Sequence, residues 1–356
     1  MAARVGVVLV LALAMLGIIA HAQGVRVSPP GCWWYWQVNA SYAVLYDYGS
    51  EAYTIYLVTP GGFNALSHNE STYAIGSWLL QPQSSIAFQV PNPSDYVIAA
   101  LNGGSCAGGP TIYTYFGNGA PIGVSSMEPV STSEVLGFFN ITAMSTNPGA
   151  SLQLNVVLEA QLPNGATQYY WLQDVVVFKT SSGEYSLVDN VWNLTGSSSL
   201  LSSAAITGGG RVSNSPTGYY YSYGTAPQAY SLPLAGYLLI KLVSTNPLVA
   251  SFCYAIIQNG SEYYPPSFNC YDNVTIHTPQ PASSAAIVAN PNTPTPSGYA
   301  IDAELVFGGY AYGEYTSFTN MSAYLALLYW SSDEWVPYGD LFMNGWDTAE
   351  TTTDLA

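Results

Sequence analysis

Three stretches alternate apolar residues with amide, indole and carboxyl side chains: SLQLNVVLEA at 151–160, YYWLQDVVVF at 169–178 and AIDAELVFGG at 300–309. Successive side chains of a β-strand point to opposite faces, so such alternation sorts residues into two sets. In the first stretch Ser151, Gln153, Asn155, Val157 and Glu159 share one face, opposite Leu152, Leu154, Val156 and Leu158. In the second, Trp171, Gln173, Val175 and Val177 oppose Leu172, Asp174, Val176 and Phe178; in the third, Asp302, Glu304 and Val306 oppose Ile301, Ala303, Leu305 and Phe307. If these strands are neighbours, their polar faces merge into a groove floored by Gln153, Gln173, Trp171 and Glu304. A carboxylate there could activate water as a base and then protonate a leaving amine, while an amide NH₂ donates to the developing oxyanion. Periodicity alone favours a plainer reading, in which these are half-exposed positions on a solvated sheet or amides that satisfy buried backbone groups.

Other chemistries find little support. Past the N-terminal segment the histidines are His68 and His277, neither in a recognisable nucleophile setting, and in acid both would be protonated and useless as bases. No H-E-x-x-H or clustered Cys/His spacing suggests zinc, so no metal and no cofactor is expected. The glycines of GGGR (208–211) and GGYAYG (308–313) lack a strand-to-helix context and read as turns and bulges. Nucleic acid is not an expected partner, because the chain carries 5 Lys and Arg against 21 Asp and Glu.

That imbalance also bears on the environment. Beyond residue 22 the permanent bases are Arg26, Lys179, Arg211 and Lys241, so in strong acid the net positive charge stays at most about +7 and self-repulsion is slight. Few bases and a surface of uncharged polar residues suit a strongly acidic exterior; a surface-layer glycoprotein would show a similar composition for other reasons. Residues 1–22 have one Arg, a long apolar run and Ala20-His21-Ala22, as a secretory signal does. No later run approaches the roughly 20 apolar residues of a membrane span, so the expected location is extracellular or cell-surface, with no transmembrane anchor once the signal is removed. Cys32, Cys106, Cys253 and Cys270 then suggest two disulfides, with Cys32–Cys106 and Cys253–Cys270 the favoured pairing. Glycosylation sequons begin at Asn39, Asn69, Asn140, Asn193, Asn259, Asn273 and Asn320.

The elements that position these groups are strands. The chain is rich in Tyr, Val, Thr, Ser, Gly and Pro and poor in helix-covering charged residues, which predicts an all-β fold of two β-sandwich, jelly-roll-like domains, mostly antiparallel with very little helix. The expected division is a signal peptide at 1–22, an N-terminal sandwich at 23–118 and a second at 119–356. CWWYWQ at 32–37 reads as a strand packed into a core, with a sugar- or peptide-binding platform as the alternative. The stretches 195–218 and 279–298 read as loops by composition.

From PIGV (121–124) through SLQLNVVL (151–158), YYWLQDVVVF (169–178), VDNVWNLT (188–195) and AELVFGG with AYLALLYW (303–330), the sequence resembles the thermopsin family of secreted acid peptidases from thermoacidophilic archaea. The resemblance implies an acid endopeptidase that acts on peptide or protein substrates at low pH and high temperature, without the D-T-G motif of pepsin. A Glu304 paired with Gln153 or Gln173 would be similar in logic to the glutamic peptidases. Asp189 is the main aspartate alternative, followed by Asp174 and Asp302, and Trp171, Asn155 and Trp192 are the candidate substrate-binding residues. One departure stands out: the family often continues P-x-G-x with Ala-Asp-Tyr-Gly, whereas this chain has Ser125-Ser126-Met127-Glu128. A chain lacking a needed aspartate there would be inactive, which keeps open a noncatalytic cell-surface or filament-forming β-protein; a carbohydrate-binding module rests only on the Trp and Tyr content. Oligomeric state is not legible.

Overall fold

A computed structural model describes residues 25–353 except 28–30, 39–41, 48, 69, 83, 91–95, 103–109, 118–120, 127, 216–217, 258–266, 291–294, 298, 310–314, 340 and 345–350. The expected signal peptide, Cys106 and the sequons at Asn39, Asn69 and Asn259 lie outside the described residues. The rest is β-structure with one described helix, Pro60–Ser67, entered through Thr59, whose Oγ1 accepts the Gly62 N–H at 3.0 Å. No described helix is long and apolar enough to cross a membrane. The described residues up to 117 form one compact unit and those of 121–341 another.

In the first unit a four-stranded sheet runs in the order Cys32–Gln37, Val97–Asn102, Tyr53–Val58, Gly76–Leu80, and a three-stranded sheet in the order Ser84–Gln89, Tyr42–Asp47, Ile112–Gly117. Leu45 and Ala43 from the second sheet share a core with Ile55, Leu57, Ile98 and Ala100 from the first. The aromatic CWWYWQ strand serves both its faces: Trp34 and Trp36 pack on that core, while Trp33 joins a cluster with Leu66 of the helix. Tyr35 covers Phe63 with ring centroids 4.4 Å apart.

The second unit is also two packed sheets. One runs Ser199–Leu200, Gly218–Gly224, Glu184–Asn193, Thr167–Lys179, Ala150–Gln161, Ala303–Gly308, Ile122–Ser126. The other runs Ile206–Thr207, Asn269–Ile276, Leu248–Ile257, Leu234–Thr245, Glu134–Asn147, Tyr315–Ser331, Glu334–Pro337. The apolar sets of the alternating strands meet between them: Leu152, Leu154, Val156, Leu172, Val176, Leu305 and Phe307 pack against Phe139, Ile141, Leu238, Ile240, Phe252 and Val274. At roughly 1.5–3 kcal/mol for each large side chain buried, this interior is what pins the alternation. Cys253 and Cys270 are bridged, as expected. Of the described sequons Asn273 and Asn320 are exposed, and Asn140 and Asn193 are half-buried.

Two stretches expected to be loops contribute strands. Within 195–218, Ile206–Thr207 pairs with Thr275–Ile276, and Arg211–Ser215 forms a hairpin with Gly218–Gly224. Within 279–298, Ser284–Ala289 pairs with both Val157–Gln161 and Val130–Thr132. These strands are short and set among Ser, Gly and Pro, and backbone pairing needs no long apolar run, so they escape a compositional reading.

The strand Ile122–Ser126 lies against Ala303–Gly308 so closely that a Cβ at Gly123 would fall 2.1 Å from the Leu305 carbonyl oxygen and 2.7 Å from Val306 Cα. Gly123→Ala is therefore expected to destabilise the unit by on the order of 1–3 kcal/mol through overpacking, read as a lowered urea midpoint in acid; an unchanged midpoint would show that the strand can move aside.

Candidate active site

The strands carrying Gln153, Gln173 and Glu304 are adjacent, and their register sets one row of polar residues across the sheet. Ser125 opposes Glu304, Glu304 opposes Asn155, Asn155 opposes Gln173, Gln173 opposes Asn190 and Asn190 opposes Ser222. On one side of this row lies an aromatic row, Trp171, Trp192 and Tyr220, with the Trp192 and Tyr220 rings stacked at 4.4 Å. On the other lie Val306, Gln153, Val175 and Val188. Trp171 also belongs to an apolar cluster with Val157, Leu194 and Ile301, and its ring lies 5.7 Å from that of Tyr299.

The amides form a hydrogen-bonded chain whose direction is fixed at its end. An indole N–H can only donate, so the atom Trp192 Nε1 meets at 3.1 Å is the Gln173 oxygen, Oε1. Gln173 Nε2 is thereby turned toward Gln153 Oε1 at 3.1 Å and Asn155 Oδ1 at 3.3 Å. Asn155 Nδ2 then donates to Glu304 Oε1 at 2.9 Å and to Gln153 Oε1 at 3.4 Å. Gln153 Nε2 donates to Ser151 Oγ at 2.9 Å, and Ser125 Oγ donates to Glu304 Oε2 at 3.2 Å. Donors thus run from indole to carboxyl without a clash. The row is not the half-exposed floor that alternation suggested: Glu304 is 0% exposed, Asn155 1%, Gln153 3% and Gln173 6%. Burial of so many polar groups is tolerable only because they satisfy one another.

The sequence pattern of the thermopsin family matches residues 110–355, and a curated relative, thermopsin of Sulfolobus acidocaldarius, is 39% identical over 257 residues, covering 68% of this chain and 73% of its own. The chain belongs to the thermopsin family. Its membership puts it among peptidases. Among solved structures, scytalido-glutamic peptidase in complex with a transition-state analogue inhibitor covers 66% of this chain and 92% of its own at 11% identity and a TM-score of 0.29, too distant to bear on the site.

The departure from the thermopsin-family pattern has a definite location. Ser126, the residue at which the resemblance leads one to expect an aspartate, alternates away from Glu304 and accepts the Ala303 N–H at 3.0 Å. Ser125 is the residue beside Glu304, and sequence reasoning had registered it only as part of a mismatch. Glu128 takes no part in the row and accepts the Gly339 N–H at 2.9 Å. Asp302 is buried just before the Glu304 strand. Asp189 and Asp174 oppose each other on the interior face of the same sheet, so the structure does not bring the main aspartate alternative to the row. Its alternation with Leu187 and Val191 was the signal for that side. Tyr220 and Ser222 were missed because nothing local marks the 218–224 segment as a neighbour of 184–193, whereas the alternation of Asn190 with Trp192 was a signal that could have found Asn190. His68 and His277 are both exposed. Among the described residues no group of three or more His, Cys, Asp or Glu is arranged to hold a metal ion.

Asn155 links the carboxyl to both glutamines, so replacing it with a side chain of similar size but no polar atoms leaves buried groups unsatisfied. Asn155→Leu is expected to cost about 1–3 kcal/mol in urea unfolding at acid pH. A neutral or stabilising effect would show that the chain of amides is dispensable to the fold.

Proposed function

We propose that this thermopsin-family peptidase is a secreted endopeptidase working at low pH and high temperature, with Glu304 as its general acid–base and the Gln173 and Gln153 amides as its oxyanion donors. The observation that supports it most is the transverse row, in which a carboxyl and two glutamine amides lie within one hydrogen-bonded chain across adjacent strands. Glu304 would take a proton from the attacking water, and the same group would then deliver one to the departing amine. In the free chain Gln173 Nε2 is spent on Gln153 and Asn155, so a substrate carbonyl has to take over part of that donor capacity. Asn155 holds Glu304 in position, and Trp192 holds Gln173 with its NH₂ turned into the row. The neighbouring Trp171, Trp192 and Tyr220 offer an apolar wall for a large substrate side chain. The acidic, extracellular setting is supported by the scarcity of bases and by the leader-like first residues.

The complete burial of Glu304 favours a second reading, a β-sandwich protein of the same family whose polar row is structural and whose catalysis is lost. Digestion of a denatured protein over an acid pH series separates the two. The enzyme reading expects cleavage near pH 2–4, abolition in Glu304→Gln, and a loss of about 10²–10³ in kcat for Gln173→Ala, as for other oxyanion donors. Trp192→Phe should lower kcat with little change in KM. No cleavage at any acid pH would support the noncatalytic protein, and full activity in Glu304→Gln would remove that residue from the mechanism.

A further inference from the structure

The strands that carry the polar row bear a second polar cluster on their opposite face, between the two sheets. Asp174 and Asp189 are direct cross-strand partners and are fully buried. Asp272 enters from the facing sheet, on Asn269–Ile276. A β-bulge makes the meeting possible: Phe252 pairs with Asp272 and Cys253 with Cys270, so Tyr271 is an extra residue that is re-aimed. Tyr271 donates its hydroxyl to Asp174 Oδ1 at 2.7 Å, crossing from the second sheet to the first. Tyr221 crosses the other way, donating to Asp272 Oδ2 at 2.5 Å. Asp272 also accepts the Gly209 and Asn273 N–H groups at 2.9 and 2.8 Å, and Asp189 Oδ1 accepts that of Tyr223 at 3.2 Å.

The ionisable groups around the two buried aspartates are Tyr221 and Tyr223 on their own sheet and Tyr254, Tyr271 and Asp272 on the facing one. Among the described residues no cation acts on either carboxyl. Asp174 Oδ2 and Asp189 Oδ2 are buried and make no conventional hydrogen bond, which is severe for an ionised oxygen and mild for a protonated one.

We propose that Asp174, Asp189 and Asp272, with Tyr221 and Tyr271, form an acid-closed clamp that ties the two sheets together while Asp174 and Asp189 are neutral and releases them as the solution approaches neutrality. The inference does not depend on which residue is catalytic. Burial pushes the Asp174 carboxyl well above its ordinary value; burial, then the charges of Asp272 and Asp174, push Asp189 up to about 9. Below the unfolded value of about 3.9 both states carry these protons, and the clamp contributes fully. Above it the unfolded chain releases them while the folded one must keep them. The folding equilibrium constant then falls about tenfold per pH unit for each retained proton, and for Asp189 the loss continues until about pH 9.

The test is urea unfolding of the whole chain from pH 2 to 8, for the wild type, Asp174→Asn, Asp189→Asn and the double variant. The wild type should lose about a hundredfold in folding constant per unit above about pH 4, each single variant should lose about tenfold less per unit, and the double variant should be the least pH-sensitive of the four. Infrared spectroscopy of the native wild type near pH 6 should also show the carbonyl band of a protonated carboxyl, a reading that needs no variant to fold. A wild-type stability that is flat or rises between pH 4 and 7, unchanged slopes in the variants, or no such band would overturn the clamp.

Discussion

The register of the Ala150–Gln161 strand is the constraint on which the rest of the second unit depends. It pairs along much of its length with Thr167–Lys179 on one side and with Ala303–Gly308 and Ser284–Ala289 on the other. A slip of one residue would drive Gln153 and Asn155 into the interior and turn Leu152, Leu154 and Val156 out, because side chains repeat every two residues. The aliphatic face and the amide face therefore enforce the same register by opposite means, one by excluding water and the other by pairing donors with acceptors. Neighbouring strands inherit it, and with it the alignment of Ser125, Glu304, Asn155 and Gln173.

Much of this arrangement is legible in the sequence alone. The two-residue alternation of 151–160, 169–178 and 303–307 fixes which side chains share a face, and the structure keeps those sets together; Ile301, expected on the aliphatic face, precedes the strand and instead joins Val157 and Trp171. What alternation cannot supply is which strand lies beside which, since that depends on contacts between residues distant in sequence. Glu304 and Asn155 touch across a separation of 149 residues. The bulge at Tyr271 was likewise hidden, because an inserted residue changes the parity of its strand without changing its composition. The direction of the amide chain was invisible for another reason: it follows from the one-way hydrogen bonding of a single indole. Asp189 shows the converse: it was expected as the main aspartate alternative, although its alternation with Leu187 and Val191 points to the apolar face where the structure has it.

The molecule relies on neutral hydrogen bonds where many proteins use ion pairs. Lys241 with Glu134, at 2.8 Å, is the one ion pair among the described residues, and it is partly exposed. An ion pair loses its attraction once its carboxylate takes up a proton, whereas a carboxamide keeps its donors and its acceptor at any pH. Amides in the polar row and tyrosine hydroxyls between the sheets thus supply directed contacts that acid leaves intact. Asp174 and Asp189, between the sheets, are pushed by burial toward the protonated form that acid supplies.

Ser125 ends the row at its carboxyl with a property the amides lack. Each amide presents a fixed oxygen and a fixed nitrogen, so reversing one would oblige its neighbours to reverse as well. A hydroxyl can swivel and exchange giving for receiving without moving its oxygen. When the Glu304 carboxyl passes from charged to neutral, its Oε2 can offer a hydrogen to Ser125 Oγ instead of taking one. The rest of the chain back to Trp192 need not turn, and the serine serves as a swivel that isolates the scaffold from each change in the proton count at its end.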